Sequence, residues 1–169
     1  ASCATGGGGN SGAPADQNTG AKTTDNPFGV ADNSTIDAVI FNGGYGYDYV
    51  SFAGDEVKKK LTTVTPKVSP STQISQQLQP RFVAGNPPDL VDNSGANAIG
   101  IATILSQLED LSDVLASNNY EGTKISDTLF GGVTQPGTFD GKFAVLNYAY
   151  TVYAVWYSKS LFDANGWTP

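Results

Sequence analysis

The chain contains no histidine and a single cysteine in 169 residues. Without histidine there is no Ser-His-Asp triad, no imidazole general base and no histidine ligand for a metal. The lone Cys3 has no intrachain disulfide partner. Charge is sparse as well: charged residues are 15% of the chain and the net charge is −7. That leaves no basic face for a phosphate backbone and argues against a nucleic-acid partner. No apolar run reaches the roughly 18 residues that a membrane-crossing helix needs. A metal site would have to be built from oxygen ligands, and the aspartates lack the alternating spacing of a calcium loop. No metal and no cofactor is therefore expected.

What is present is a globular composition, 39% hydrophobic, enough for one ordinary domain or part of a larger one. Residues 1–35 are different. They are rich in Gly, Ser, Thr, Asn, Asp, Ala and Pro and read as a disordered tether. Ala-Ser-Cys at the start fits the end of a bacterial lipobox, in which a cysteine that follows small residues is lipidated. Cys3 would then anchor the protein on the extracellular face of the cell membrane, behind a cleaved signal peptide. The alternative is an incidental cysteine in a polar tail.

From Ile36 the pattern becomes regular. "IDAVIF" is a short β-rich run closed by the Gly-rich "NGGYGY". Residues 47–61 are helical in spacing, with Val50, Ala53, Val57 and Leu61 on one face and three lysines in the last turn, where they suit the helix dipole. "TTVTPKV" is the next strand, with Pro66 marking either an edge or a strand end. Ser69, Ser71 or Thr72 would cap a helix carrying Ile74, Leu78 and Phe82, kinked or split at Pro80 and ended at Gly85. Asp89–Val91 is a third, very short strand. Ile101, Ile104, Leu105, Leu108, Leu111 and Leu115 then return to helical spacing. The strand–helix alternation predicts a parallel, helix-covered α/β sheet with residues 36–41, 63–68 and 89–91 as neighbouring strands. The segment "FAVLNYAYTVYAVWY" reads as one or two buried strands, with Phe143, Val145, Tyr153, Val155 and Trp156 in the core.

In an open α/β sheet ligands bind beyond the carboxyl ends of the strands. Two such ends carry small hydrogen-bonding residues: Asn42-Gly43-Gly44-Tyr45 after the first strand and Asp92-Asn93-Ser94-Gly95 after the third. The same residues also serve as ordinary turn formers, and composition does not separate the two roles.

Three stretches carry a family resemblance: "VIFNGGYG", "QISQQLQPRFVAGNPPDLVDNSG" and "FDGKFAVLNYAYTVYAVWYSKSLFDANGW". Over residues 36–169 the chain resembles the extracellular solute-binding proteins of ABC transporters that carry sugars. It is similar to the branch that binds N-acetylglucosamine and chitobiose. The resemblance implies a bilobed, hinged, monomeric binding protein that delivers a carbohydrate to a membrane permease. It implies a first three-layer α/β lobe over residues 36–145 and a segment crossing toward the second lobe over 146–169. Family members continue well past the position of Pro169, so most of the second lobe is expected to be absent from this sequence. Carried onto this sequence, the ligand contacts implied are Gly44 and Tyr45, Asp92 and Asn93, and Tyr148, Tyr150 and Thr151. Tyrosine faces stack on sugar rings, while carboxylates and amides bond hydroxyls.

Other function classes remain open at this point. A glycoside hydrolase would need a pair of carboxylates about 5–10 Å apart, and Asp89 and Asp92 are the candidates. A dinucleotide enzyme is disfavoured, because Tyr49 stands at the third glycine position of the Gly44-Tyr45-Gly46 fingerprint. A lipid-tethered surface interaction domain is the third possibility.

Overall fold

The computed structural model describes residues 20–149 and 154–169. Cys3, Tyr150, Thr151 and Tyr153 lie outside the described residues. The chain falls into two compact units, one ending at Glu109 and one spanning Asp110–Pro169.

The first unit is built on a parallel sheet. Strand β1 (Thr35–Phe41) lies at its centre, between β2 (Thr65–Ser71) and β3 (Leu90–Val91). The three predicted strands are thus neighbours and parallel, and β2 with its two prolines is an edge, where a missing N–H costs least. Helix α1 (Asp48–Lys60) joins β1 to β2, and α2 (Ile74–Val83) joins β2 to β3.

The register explains the layers. Side chains alternate along a strand, so Val39 and Phe41 share one face of β1 while Ala38 and Ile40 occupy the other. On the first face α2 buries Ile74, Leu78 and Phe82 against Val39, and Ile99 and Ile104 complete that core. On the second face Ile36, Ala38 and Ile40 stand beside Pro66, Val68 and Pro70 of β2. Helix α1 crosses there, close enough that a Cβ on Gly54 would lie 3.1 Å from the Pro66 side chain. Helices therefore cover both faces, and the lobe has three layers.

Several local details depart from the pattern-based expectations. Pro80 neither splits nor ends α2, which continues to Val83. The helix ends at Gly85, as its sequence predicts, in a Schellman turn with Gly85 at φ +70 and the Asn86 N–H bonded to the Arg81 carbonyl at 2.9 Å. No side chain caps α2, although Ser71 Oγ accepts from the Gln73 N–H at 3.0 Å. The spacing over residues 101–115 does not give one helix. It breaks into α3 (Ile101–Ile104), a 3-10 turn (Leu105–Gln107) and α4 (Ser112–Ala116). Residues 20–34, assigned to the tether by composition, form a hydrogen-bonded loop. In it Asn26 Nδ2 donates to the Val30 carbonyl and Asn26 Oδ1 accepts from the Val30 N–H. The loop joins the sheet where the Thr65 N–H bonds the Ser34 carbonyl at 2.9 Å.

The amino ends of β1 and β3 are tied by one polar cluster. Arg81 Nη2 reaches Asp37 Oδ2 at 2.8 Å and Arg81 Nε donates to the Asn86 carbonyl at 3.0 Å. Asp89 Oδ2 accepts from the Asp37 N–H at 2.7 Å. Because Arg81 and Asp37 are only partly buried, the pair is worth less than a fully enclosed one. Arg81→Ala should lower stability by about 1 kcal/mol. A urea midpoint unchanged from wild type would show that this cluster contributes nothing.

In the second unit, β4 (Thr138–Phe139) and β5 (Lys142–Phe143) form a small hairpin. Its turn is Asp140-Gly141, both at positive φ, as a type I′ turn requires. At the start of α4, Asp110 Oδ1 accepts from the Ser112 N–H at 2.8 Å. The Ser112 hydroxyl, which also donates to it, is the main cause of a carboxyl pKa below the ordinary value. Of the buried strands expected over residues 143–157, the described residues show strand only at Phe143, the end of Lys142–Phe143. Phe143 is buried as expected, but Val155 and Trp156 are 95% and 87% exposed. A strand needs a hydrogen-bonded neighbour, and among the described residues none pairs with residues 144–149 or 154–158. Helix α5 (Lys159–Asn165) follows, capped by Ser158 and ended by Gly166 at φ +67.

Candidate functional site

The carboxyl edge of the sheet in the first unit is assembled around the Phe41 ring, at the last residue of β1. A Cβ on Gly43 would lie 2.2 Å from that ring, and one on Gly95 would lie 2.5 Å from it. A side chain at either position would displace that ring, so the exits of β1 and β3 close on the same aromatic ring, and Gly95 is held to glycine by its φ of +87 as well. The Asp92 N–H donates to the Val39 carbonyl at 2.9 Å and the Asn42 N–H to the Ser71 carbonyl at 2.9 Å, so all three strand exits are pinned together. Gly44 is different. A Cβ there would meet nothing within 4 Å, so packing does not demand a glycine.

Asp92 is the buried charged residue of this edge, 9% exposed. Both carboxylate oxygens are held. Tyr49 Oη donates to Oδ2 at 2.8 Å, and Ser94 Oγ donates to Oδ1 at 2.5 Å. A buried carboxylate is tolerated only when hydrogen-bonded in this way. The tyrosine arrives from the other side of the β1 exit. Gly46, at φ +65, turns the chain so that α1 begins at Asp48. The second residue of that helix then reaches across to β3.

Asn93 has a different occupation. Its Oδ1 accepts from the Ile99 N–H at 2.7 Å and its Nδ2 donates to the Ile99 carbonyl at 2.8 Å. That pair closes the loop from residue 93 to residue 99 and seats Ile99 in the core. Tyr45 is 74% exposed at the tip of the β1 exit, a ring face available to solvent.

The first unit thus gathers Gly44, Tyr45, Asp92 and Asn93 on one edge. Tyr148, in the second unit, is exposed. Tyr150, Thr151 and Cys3 lie outside the described residues. Reasoning from sequence misses Tyr49, which it places only at the failed third glycine of a dinucleotide fingerprint. The available signal was a tyrosine in the first turn of a helix that directly follows a glycine-rich strand exit.

The two candidate carboxylates of a glycosidase have separate partners. The Asp89 carboxylate accepts from the Asp37 N–H of β1. Asp92, three residues on and past the strand, is held by Tyr49 and Ser94. What the edge offers is one oriented carboxylate, neighbouring hydroxyls and an exposed aromatic ring. Such a set can accept hydrogen bonds from a polyhydroxyl ligand and stack against it.

Comparison with known proteins agrees with the motifs. Residues 44–168 match the family described as "Bacterial extracellular solute-binding protein". The chain is also 55% identical over 150 residues to the "Diacetylchitobiose binding protein NgcE" of Streptomyces coelicolor. That alignment takes in 89% of this chain and 32% of the relative, so the chain spans about a third of that protein's length.

Proposed function

The chain belongs to the bacterial extracellular solute-binding protein family, and from that premise we propose that the protein is the substrate-binding component of an ABC sugar importer. It holds a carbohydrate containing N-acetylglucosamine, diacetylchitobiose foremost, and passes it unaltered to the permease subunits. The observation that carries this reading is the 55% identity to a diacetylchitobiose-binding protein across nearly the whole chain. The Asp92 edge supports it chemically, because a fixed carboxylate recognises hydroxyl donors and rejects analogues that lack them. Gly44, Tyr45, Asp92 and Asn93 form the first-lobe side of the site in this proposal, with Tyr148, Tyr150 and Thr151 contributing from the crossing segment. Asn93 acts there by shaping the loop, since its amide is engaged with Ile99.

Isothermal titration of the full-length protein with chitobiose, maltose and glucose tests the proposal. Saturable heat with chitobiose and little with the other two is the expected result. Heat with none of the three sugars would overturn it.

The anchoring part of the proposal rests on the Ala-Ser-Cys sequence and the polar stretch after it. A lipid on Cys3 would hold the carrier on the outer face of the membrane beside its permease. Cys3→Ser should release the protein into the medium. Fractionation that still finds it with the membrane would rule out Cys3 as the anchor.

A further inference from the structure

We infer that Tyr49 is a positioning residue for ligand recognition, acting through the carboxylate of Asp92. The inference rests on the sugar-carrier reading and adds a residue that the family motifs did not bring to it. Three observations carry it. Tyr49 Oη donates to Asp92 Oδ2 at 2.8 Å across 43 residues of sequence. Ser94 takes the other oxygen, so the carboxylate plane is fixed by two hydroxyls rather than free to rotate. Asp92 is 9% exposed, whereas the Tyr49 ring is half-exposed on the same edge.

These facts have a chemical consequence. Two hydroxyl donors on one carboxylate fix its orientation on the edge. A hydroxyl donor from a ligand is recognised best by an acceptor already held in place, because no rotamer freedom is then lost on binding. Tyr49 also bridges two chain segments, the first turn of α1 and the exit of β3. Its bond therefore sets the position of the carboxylate relative to the Gly43–Gly46 turn, where the exposed Tyr45 ring stands.

The test is a double-mutant cycle by calorimetry on the full-length protein, with chitobiose as the probe. Tyr49→Phe keeps the ring and removes the hydroxyl. It should weaken binding roughly tenfold, and it should weaken it no further in an Asp92→Asn background, since the residue acts through that carboxylate. Ser94→Ala removes the donor to the other oxygen and should follow the same pattern if Tyr49→Phe does not fold. A thermal melt of each variant separates unfolding from loss of recognition. If wild type binds and Tyr49→Phe is within about twofold of it, or if its effect adds in full to that of Asp92→Asn, the inference is wrong while the sugar-carrier reading stands. If wild type binds no sugar, both fall together.

Discussion

Gly95→Ala should lower stability by about 2–5 kcal/mol, through two separate costs. Gly95 sits at φ +87, where any residue with a Cβ is strained by roughly 1–2 kcal/mol. The added methyl would also lie 2.5 Å from Phe41 Cε2 and 2.6 Å from Phe41 Cζ. The ring has little room to retreat, because Gly43 closes on it from the β1 exit. Overpacking of this kind typically costs about 1–3 kcal/mol. The two costs can be told apart. Phe41→Leu removes the ring atoms that clash but leaves φ unchanged, so Gly95→Ala in that background should lose only the backbone share. Chemical denaturation of the four proteins of this cycle gives the answer. Full additivity would mean that the ring and the glycine do not meet in solution.

The same ring shows what was legible from sequence and what was not. The alternation of β-rich runs with helical spacing identified β1, β2 and β3 as parallel neighbours, because apolar periodicity reflects burial on a face. Ile74, Leu78 and Phe82, at intervals of four, are indeed the buried stripe of α2. Glycines at two strand exits suggested a ligand edge. Their shared reason, one aromatic ring between them, is a contact between residues 41, 43 and 95 that no local pattern encodes.

The failures have equally physical causes. Over residues 101–115 the apolar spacing is sound, for Ile104 is buried in the core cluster and Ile101 and Leu108 pack against that cluster. The backbone leaves the helix all the same: Leu105–Gln107 is a 3-10 turn and Leu108 is extended, and Asp110 accepts from the Ser112 N–H where the next helix starts. At Val155 and Trp156 an apolar run predicts buried strand, and both residues are exposed. Such a run shows that exposure is costly, yet it does not supply the neighbouring strand that would cover it. Within residues 20–34, composition suggests a tether, while the Asn26 side chain, together with backbone bonds such as Gly20 N–H to the Gly29 carbonyl, closes a loop. Asx side chains that replace backbone partners are easily mistaken for mere polarity.

Asp92→Ala should weaken sugar binding by the full-length protein by about 1–3 kcal/mol, roughly one to two orders of magnitude in affinity. The argument begins with burial. A carboxylate this enclosed is costly to keep unless its hydrogen bonds are made, and Tyr49 and Ser94 make them. Alanine removes the acceptor and leaves two hydroxyls without it, so some loss of folding stability accompanies the loss of recognition. Asp92→Asn separates the effects. The amide preserves the shape and one acceptor oxygen, so it should restore much of the stability. It cannot match the charge-assisted bonds that a carboxylate accepts from ligand hydroxyls, so affinity should remain reduced. Titrations well below the melting temperature of each variant isolate the binding part. If both variants bind chitobiose as tightly as wild type, the sugar is not held by this edge of the sheet, and Asp92 serves only to brace the exit of β3 against α1.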